Sequence, residues 1–500
     1  MSQYLLGIDN GSTVSKAALF DDEGRELAVA GRKVHSVEAA PGWSERNAEE
    51  VWRDTAAAVR EVLDRAGVDP GRIAAVACTG YGNGLHLLDA AGRPVRMAIN
   101  SMDWRARPYV ERWQAEGIGE AVRAQTAQSL WPGQPNALLA WLRDHEPEVL
   151  GRAAWVVACK DYTRFRLCGR IQAELTDMSA TSLMDVVAAR YDDRVLQAFG
   201  LAEMRRLLPP LVPTAEICGT VTAEAAAETG LRPGTPVAAG MFDIDACALA
   251  SGITDEGPMS LVAGTWGNNQ YIARQPLIDA GLFMTSCFSM PGWYLMLEGS
   301  PTSASNLDWF VREFVADAAA GAQRSPLEWC GEMAASVACD EAGPIFLPFL
   351  YGSNAQPRAR GCLVGLQGRH TRAHATRAVY EGIVFAHQTH LRRLLQFRAA
   401  PTAIRFTGGA ARSAFWVQMF ADAFQIPMEI PAGSELGALG AAIAAAVACG
   451  RYVGFPQAVA AMTRLARRYE PDPTLAGLYA AKYERYQRVV QSLGAVWDSF

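Results

Sequence analysis

The sequence predicts an α/β chain built from two related domains, and three observations carry that prediction. Five hundred residues exceed what one hydrophobic core normally organises. A strand, a turn of small residues and a second strand occur twice, about 255 positions apart, at Tyr4–Phe20 and Ser260–Ile272. Near mid-chain, the small apolar run Pro236–Gly240 leads into Met241-Phe242-Asp243-Ile244-Asp245, read as a strand, a tight Gly turn and a helix that opens on an acidic residue.

The composition is that of an ordinary globular protein: half the residues are hydrophobic and a fifth are charged. A net charge of −6, without a Lys/Arg cluster, argues against a nucleic-acid surface. The ten cysteines are scattered, with no C-x-x-C pair and no metal-ligand spacing, which suits reduced thiols in the cytoplasm. The chain enters Tyr4-Leu5-Leu6-Gly7 directly, so no signal peptide is expected. Leu436–Cys449 is the most apolar stretch, but it is short and Ala/Gly-rich, which reads as a buried helix rather than a membrane span.

In the first hairpin Tyr4–Ile8 is a strand, Asp9-Asn10-Gly11-Ser12-Thr13 the turn and Val14–Phe20 the return strand. Backbone amides at Gly11, Ser12 and Thr13 are suited to cradling phosphate oxygens, and Asp9 to holding a hydrated Mg²⁺. Lys16 follows and either approaches phosphate or points to solvent. The second copy has Ser260–Ala263 as strand, Gly264-Thr265-Trp266-Gly267-Asn268-Asn269 as turn and Gln270–Ile272 as strand. Two such hairpins suit a nucleotide held between two related domains. A third Gly turn, Thr407-Gly408-Gly409-Ala410, precedes a helix over Ser413–Phe424. Pro427–Ile430 is a strand, and Glu435–Ala442 opens a helix with a small-residue face. That face suits either an adenine slot or close helix packing. At mid-chain, Asp243 or Asp245 is either a helix cap or a carboxylate that takes a proton from a substrate hydroxyl. The Gly-rich turns on either side favour the second role.

With these motifs in order along the chain, the sequence resembles the FGGY carbohydrate kinases, in the superfamily of actin, hexokinase and the Hsp70 chaperones. Gly7–Thr13 resembles the first phosphate motif and Gly264-Thr265-Trp266 the second. Thr407–Ser413, completed by Glu435–Ala441, resembles the adenosine motif. Gly361–Leu366, His374 and Ala378–Gly382 resemble a family signature, with Ala375 a departure from it. The resemblance implies two ribonuclease-H-like (actin/hexokinase-like ATPase) domains with a central cleft. It also implies ATP with Mg²⁺, Asp243 as the base that deprotonates a sugar hydroxyl, and Gly408, Gly409, Ala410 and Ser413 at the nucleotide.

For the sugar, Tyr81-Gly82-Asn83 stands where D-xylulose kinases carry Gln-Met-His, which argues against plain D-xylulose. Tyr81 and Asn83 still offer a hydroxyl and an amide to a polyol. Asp103 and Arg105 resemble the family's Asp-x-Arg segment near the sugar; the alternative is an ion pair. Trp131–Leu142 resembles the first family signature without its usual Lys. Trp131 and Trp104 are read either as ring stacking on the sugar or as core. Together these stretches look nearest to the L-xylulose-type kinases.

The expected domains are 1–252, with the sugar site, first hairpin and base, and 253–500, with the second hairpin and adenosine site. The expected reaction moves the ATP γ-phosphate to a primary hydroxyl of a ketopentose, with closure over the sugar excluding water. Glycerol, ribulose or a keto-gulonate is the runner-up acceptor, and an ATPase or sugar sensor the rival class. Partners are expected to be a small sugar and a second copy in a homodimer, without nucleic acid or membrane. His370/His374 and His387/His390 are read as solvated helix faces, and Arg358–Arg360 and Arg369–Arg377 as exposed or subunit-contact segments.

Overall fold

The computed structural model describes residues 3–264, 266–321, 323–353 and 358–499. Thr265 lies outside the described residues. The chain divides into two compact units. The first comprises residues 1–254, 272–296 and 432–464, and the second 255–271, 297–431 and 465–500.

The first unit is organised by a mixed sheet. Its strands are β1 (Tyr4–Asn10), β2 (Val14–Asp21), β3 (Glu26–Lys33), β4 (Ile73–Gly80), β5 (Ile217–Thr220), β6 (Pro236–Ala238) and β7 (Met241–Phe242). They run in the order β5–β6–β4–β1–β2–β3, with β7 also pairing β4. β1 and β2 form an antiparallel hairpin in the register Asp9 opposite Lys16, while β1 and β4 are parallel. Parallel neighbours need crossover helices. One is α1 (Ala48–Ala66), whose Asn47 cap accepts from the Glu49 and Glu50 amides and which ends on Gly67 at φ +59°. Further on come α2 (Cys159–Cys168), the single turn α3 (Leu175–Met178) and α4 (Asp243–Ala250). One core of this unit joins Leu6, Ile8 and Leu19 of the hairpin to Trp52, Val59 and Val62 of α1.

The second unit carries β8 (Met259–Ala263), β9 (Gly267–Ala273), α5 (Arg372–Leu394), β10 (Ile404–Thr407), α6 (Ala414–Phe424) and β11 (Met428–Pro431). Next in the chain is α7 (Leu436–Ala448), which belongs to the first unit. β12 (Leu465–Tyr469) and α8 (Ala476–Ser492) complete the second. Its strands run β9–β8–β10–β11–β12, with β8 antiparallel to β9 and parallel to β10. Gly267–Asn269, read as turn, are therefore strand: their residues pair with Ala263, Val262 and Leu261.

Several further expectations change. The strand read through Gly240 stops at Ala238 and resumes as β7, because Gly240 at φ +77° turns the chain against β4. The small-residue face of α7 is used for packing on β1: a Cβ at Gly7 would overlap the Ala438 carbonyl. Among the described residues no helix is long and apolar enough to cross a membrane. Gly240 generates a prediction. A Cβ there would overlap the Cys78 carbonyl oxygen of β4, in a conformation that L-residues disfavour. Gly240→Ala is expected to cost about 2–4 kcal/mol, read from urea unfolding midpoints.

Candidate active site

The first hairpin presents a tight turn. The Gly11 amide donates to the Val14 carbonyl at 3.1 Å, and the Thr13 carbonyl accepts from the Val34 amide at 2.9 Å. The Ser12 carbonyl accepts from Arg46 Nη2 at 3.0 Å, and the Ser12 and Thr13 side chains stand exposed. Asp9 lies at the base of this turn. Burial pushes its carboxyl up to about 6, Glu435 pushes the same way, and the Lys16 ammonium opposes both. Lys16 does not point to open solvent: its Nζ pairs with Glu435 Oε2 at 2.7 Å, just before α7. A Cβ at Gly437 would overlap the Asp9 carboxylate, so the first turn of α7 lies directly against it.

Asp243 is placed by the strand that precedes it. Thr79 Oγ1 of β4 donates to the Met241 carbonyl at 2.8 Å, and the Phe242 amide donates to Thr176 Oγ1 of α3 at 2.9 Å. Asp243 is then the first residue of α4, and Phe242 occupies the cap position without a side-chain bond. The helix-cap role therefore does not apply to Asp243. Asp245, fully buried, is an anchor: its Oδ1 accepts from the Ser289 amide at 3.0 Å and from Ser289 Oγ at 3.1 Å. Burial holds the Asp243 carboxyl well above the usual carboxylate range. The negative charges of Asp9 and Asp177 add to that, while the Ile244 amide opposes it.

The residues read as sugar contacts fall into two groups. Tyr81 and Asn83 lie in the loop after β4. Tyr81 is buried, its ring 4.5 Å under the Arg46 guanidinium. Asn83, at φ +61°, is buried with Oδ1 unpartnered and lines a small cavity with Asp177. Asp103 and Arg105 instead form an internal knot. Arg105 Nε binds Asp103 Oδ1 at 2.8 Å, and its Nη2 binds Glu45 Oε1 at 2.7 Å. The Ser44 amide takes Asp103 Oδ2 at 2.6 Å, and the guanidinium lies over the rings of Trp43 (4.1 Å) and Trp141 (5.1 Å). Trp104 is half exposed.

In the second unit, Gly264 and Gly408 are neighbours. β8 and β10 pair in the register Val262 opposite Thr407, and Gly408, at φ +90°, packs so closely on Ala263 and Gly264 that a Cβ would collide with their backbone. The Gly264 carbonyl accepts from the Ala304 amide at 2.9 Å. Gly409 and Ala410 form the 3-10 turn that follows, and the Ser413 hydroxyl caps α6 by accepting from the Trp416 amide at 3.3 Å.

The histidines of α5 overturn the solvated-face reading in part. His387 and His390 are buried. His387 bonds Asn269 Oδ1 at 3.2 Å and Ser303 Oγ at 2.9 Å, and burial pushes its ring down to about 3. His390 bonds Ser300 Oγ at 2.7 Å and Glu298 Oε2 at 3.2 Å. Arg377, read as exposed, is buried against Glu381 at 2.8 Å. Spacing places these side chains on helix faces, but the strands and helices packed around α5 decide which face is covered.

The structure also adds residues that sequence reasoning passed over. Lys160, Asp161, Arg164, Glu174 and Asp177 form a fully buried charged cluster beside Asp243, and Arg46 bridges the first hairpin to Tyr81. The available signal was Lys160-Asp161 and Arg164 in a helix otherwise lined by Cys159, Tyr162 and Leu167. Among the described residues no group of three or more His, Cys, Asp or Glu is arranged to hold a metal ion by itself.

A family model described as the N-terminal domain of the FGGY family of carbohydrate kinases matches residues 4–250, and the C-terminal domain model matches 259–449. The chain is 39% identical over 495 residues to an L-xylulose/3-keto-L-gulonate kinase of Escherichia coli, covering 99% of this chain and 98% of that protein. It is 36% identical over 497 residues to a probable L-xylulose kinase of Pasteurella multocida, covering 99% of each. The crystal structure of a xylulose kinase from Rhodospirillum rubrum matches at TM-score 0.90 and 29% identity, over 99% of this chain and all of that one. The two α/β units thus have the ribonuclease-H-like, actin-like ATPase architecture. With both domain models matched in sequence order, the chain belongs to the FGGY family of carbohydrate kinases.

Proposed function

We propose that the protein transfers the γ-phosphate of ATP to the primary hydroxyl of a ketopentose of the L-xylulose type. The observation that carries the choice of acceptor is the 39% identity, over 99% of the chain, to a kinase named for L-xylulose and 3-keto-L-gulonate. The replacement of Gln-Met-His by Tyr81-Gly82-Asn83 points the same way.

Asp243 is the general base. Its raised carboxyl pKa brings it nearer the working pH, which makes it a better proton acceptor than an ordinary aspartate. Such proton transfer supplies typically about 10²–10⁴-fold. The remainder comes from alignment and charge stabilisation, because the phosphoryl transition state is loose and leaves the protein little covalent work. The Ser12 and Thr13 amides hold phosphate oxygens, in a turn shaped by the Gly11 amide, which donates to Val14; the turn of Gly264 and Thr265 is given the same phosphate role by its likeness to the second family motif. Gly408, Gly409 and Ala410 lie at the adenosine, with Ser413 shaping that turn from the cap of α6. Tyr81 and Asn83 contact the sugar, and Asp103 with Arg105 braces the wall behind them.

Asp9 suits Mg²⁺. It is a single, partly buried carboxylate, close enough to Asp243 for its charge to raise the proton affinity of Asp243. Mg²⁺ keeps most of its waters and takes one or two carboxylates with substrate phosphates, so a partial donor set fits it. Bound there, the ion would screen the phosphate charge. Lys16, held by Glu435, stands next to Asp9 and lowers its proton affinity, favouring the ionised carboxylate that a cation needs.

ADP release measured across ketopentoses and polyols is expected to be greatest with a ketopentose. Asp243→Asn is expected to lower kcat at least 100-fold with near-normal sugar binding; full activity in that variant would remove Asp243 from the mechanism. The base must be ionised to act. Activity should therefore fall with decreasing pH, starting above the ordinary carboxylate range because the Asp243 pKa is raised. An acidic limb near pH 4 would contradict this assignment.

A further inference from the structure

We infer that Asp177 is a substrate-binding residue: beside Asn83 Oδ1, it accepts a hydrogen bond from a hydroxyl group of the bound ketose and so selects which sugar rests against Asp243. The inference builds on the ketopentose-kinase reading above and names a contact within that site.

Three carboxylates share one buried cluster, and only one is left without hydrogen bonds. Asp161 accepts from Lys160 Nζ at 2.9 Å, Arg164 Nη1 at 2.6 Å and the Glu174 amide at 3.2 Å. Glu174 accepts from the Thr176 amide at 3.0 Å, Thr176 Oγ1 at 2.7 Å and Thr214 Oγ1 at 2.8 Å. Asp177 is 0% exposed, yet neither of its oxygens has a hydrogen-bond partner, and Lys160 Nζ stands 3.6 Å away. A carboxylate that served the fold alone would be satisfied as its two neighbours are, since a buried polar atom without a partner is costly.

Its surroundings indicate what would satisfy it. Asp177 lines a small cavity with Asn83, Gly84, Pro135, Met178 and Thr181, and Asn83 Oδ1 is likewise buried and unpartnered. Both groups are acceptors, so the matching ligand group is a donor. A sugar hydroxyl provides it, whereas a carboxylate or phosphate would meet like charge. The cavity is small, about 10 Å³, so it takes a single hydroxyl rather than a sugar ring, and it is linked to Asp243 through α3. Thr176, the preceding residue, takes the Phe242 amide, and the Asp177 charge is felt by Asp243. The loop above is glycine where it must be: a Cβ at Gly82 would overlap the Phe242 ring and lie 3.0 Å from Asp177 Oδ1.

The test is a cycle between enzyme and substrate. Wild type and Asp177→Asn are compared by kcat/KM on the preferred ketopentose and on its single-deoxy analogues. Asp177→Asn is expected to lose at least tenfold on the full ketose. One analogue should already be slow with wild type and lose less than threefold more in the variant, because the contact is gone from both sides. Equal losses on every analogue would overturn the inference. Folding is read separately. Burial and the charges of Asp161 and Glu174 push the Asp177 carboxyl up to about 7 against the pull of Lys160. A raised pKa costs stability progressively between the ordinary carboxylate value and the raised one, so the variant should melt higher than wild type at pH 8, with the difference shrinking steadily as pH falls toward 4. A lower melting temperature at pH 8 would mark Asp177 as structural and overturn the inference. If Asp177→Asn does not fold, the same cycle is run on Asn83→Gly, which tolerates φ +61°, with the same two outcomes. A wild type that releases no ADP with any ketopentose would overturn the ketopentose reading itself, before any variant is made.

Discussion

Two hydrogen bonds onto a two-residue strand hold Asp243 in place. Thr79 Oγ1 grips the Met241 carbonyl from one side, and Thr176 Oγ1 takes the Phe242 amide from the other. Between them the backbone has little freedom, and the next side chain is Asp243 at the start of α4. Gly240 makes this possible, because only a residue without Cβ can turn at φ +77° against the Cys78 carbonyl. Asp245, bolted to Ser289 two residues on, fixes the first turn of the helix as well. A side chain held in this way loses little alignment to thermal motion, and alignment is most of what the role proposed for Asp243 asks of it.

The same region gathers negative charge. Burial raises the carboxyls of Asp9, Asp177 and Asp243, the charges of Asp9 and Asp177 add to the rise at Asp243, and Lys16 and Lys160 oppose it at Asp9 and Asp177. Buried ion clusters are weak stabilisers, since the desolvation penalty can exceed the Coulomb gain. A cluster beside Asp243, in which Asp177 has an ion pair with Lys160 at 3.6 Å but no hydrogen bond, fits the proposal that stability there yields to function. The Asp103–Arg105–Glu45 knot differs in kind. Its charges are paired, and its guanidinium is covered by two indole rings, so it stiffens the wall on which the loop after β4 rests.

The hairpin strands, the turn glycines, the mid-chain acid and the helices after Ser413 and Glu435 were legible because each rests on local rules: period-two alternation, turn chemistry and caps. The misreadings share a cause. His387, His390 and Arg377 carry polar groups at helical spacing, which says that they share faces of α5 but not whether those faces meet water. The stripe of small residues in α7 showed that something approaches closely, and the β1 backbone answers it. Asp177 and Lys160 left almost no local trace, because a buried charge is recognised by partners far away in sequence.

The order of motifs along the chain by itself determined the family and the α/β class and singled out Asp243 as the candidate base, since turn glycines and strand periods are written in neighbouring residues. Only the tertiary structure decided which carboxylates lie beside that base, which of them are satisfied, and that Arg105 closes on Asp103 and Glu45. Hydrogen bonding and desolvation depend on what surrounds an atom in space, and in this chain the decisive neighbours are separated by tens to hundreds of residues.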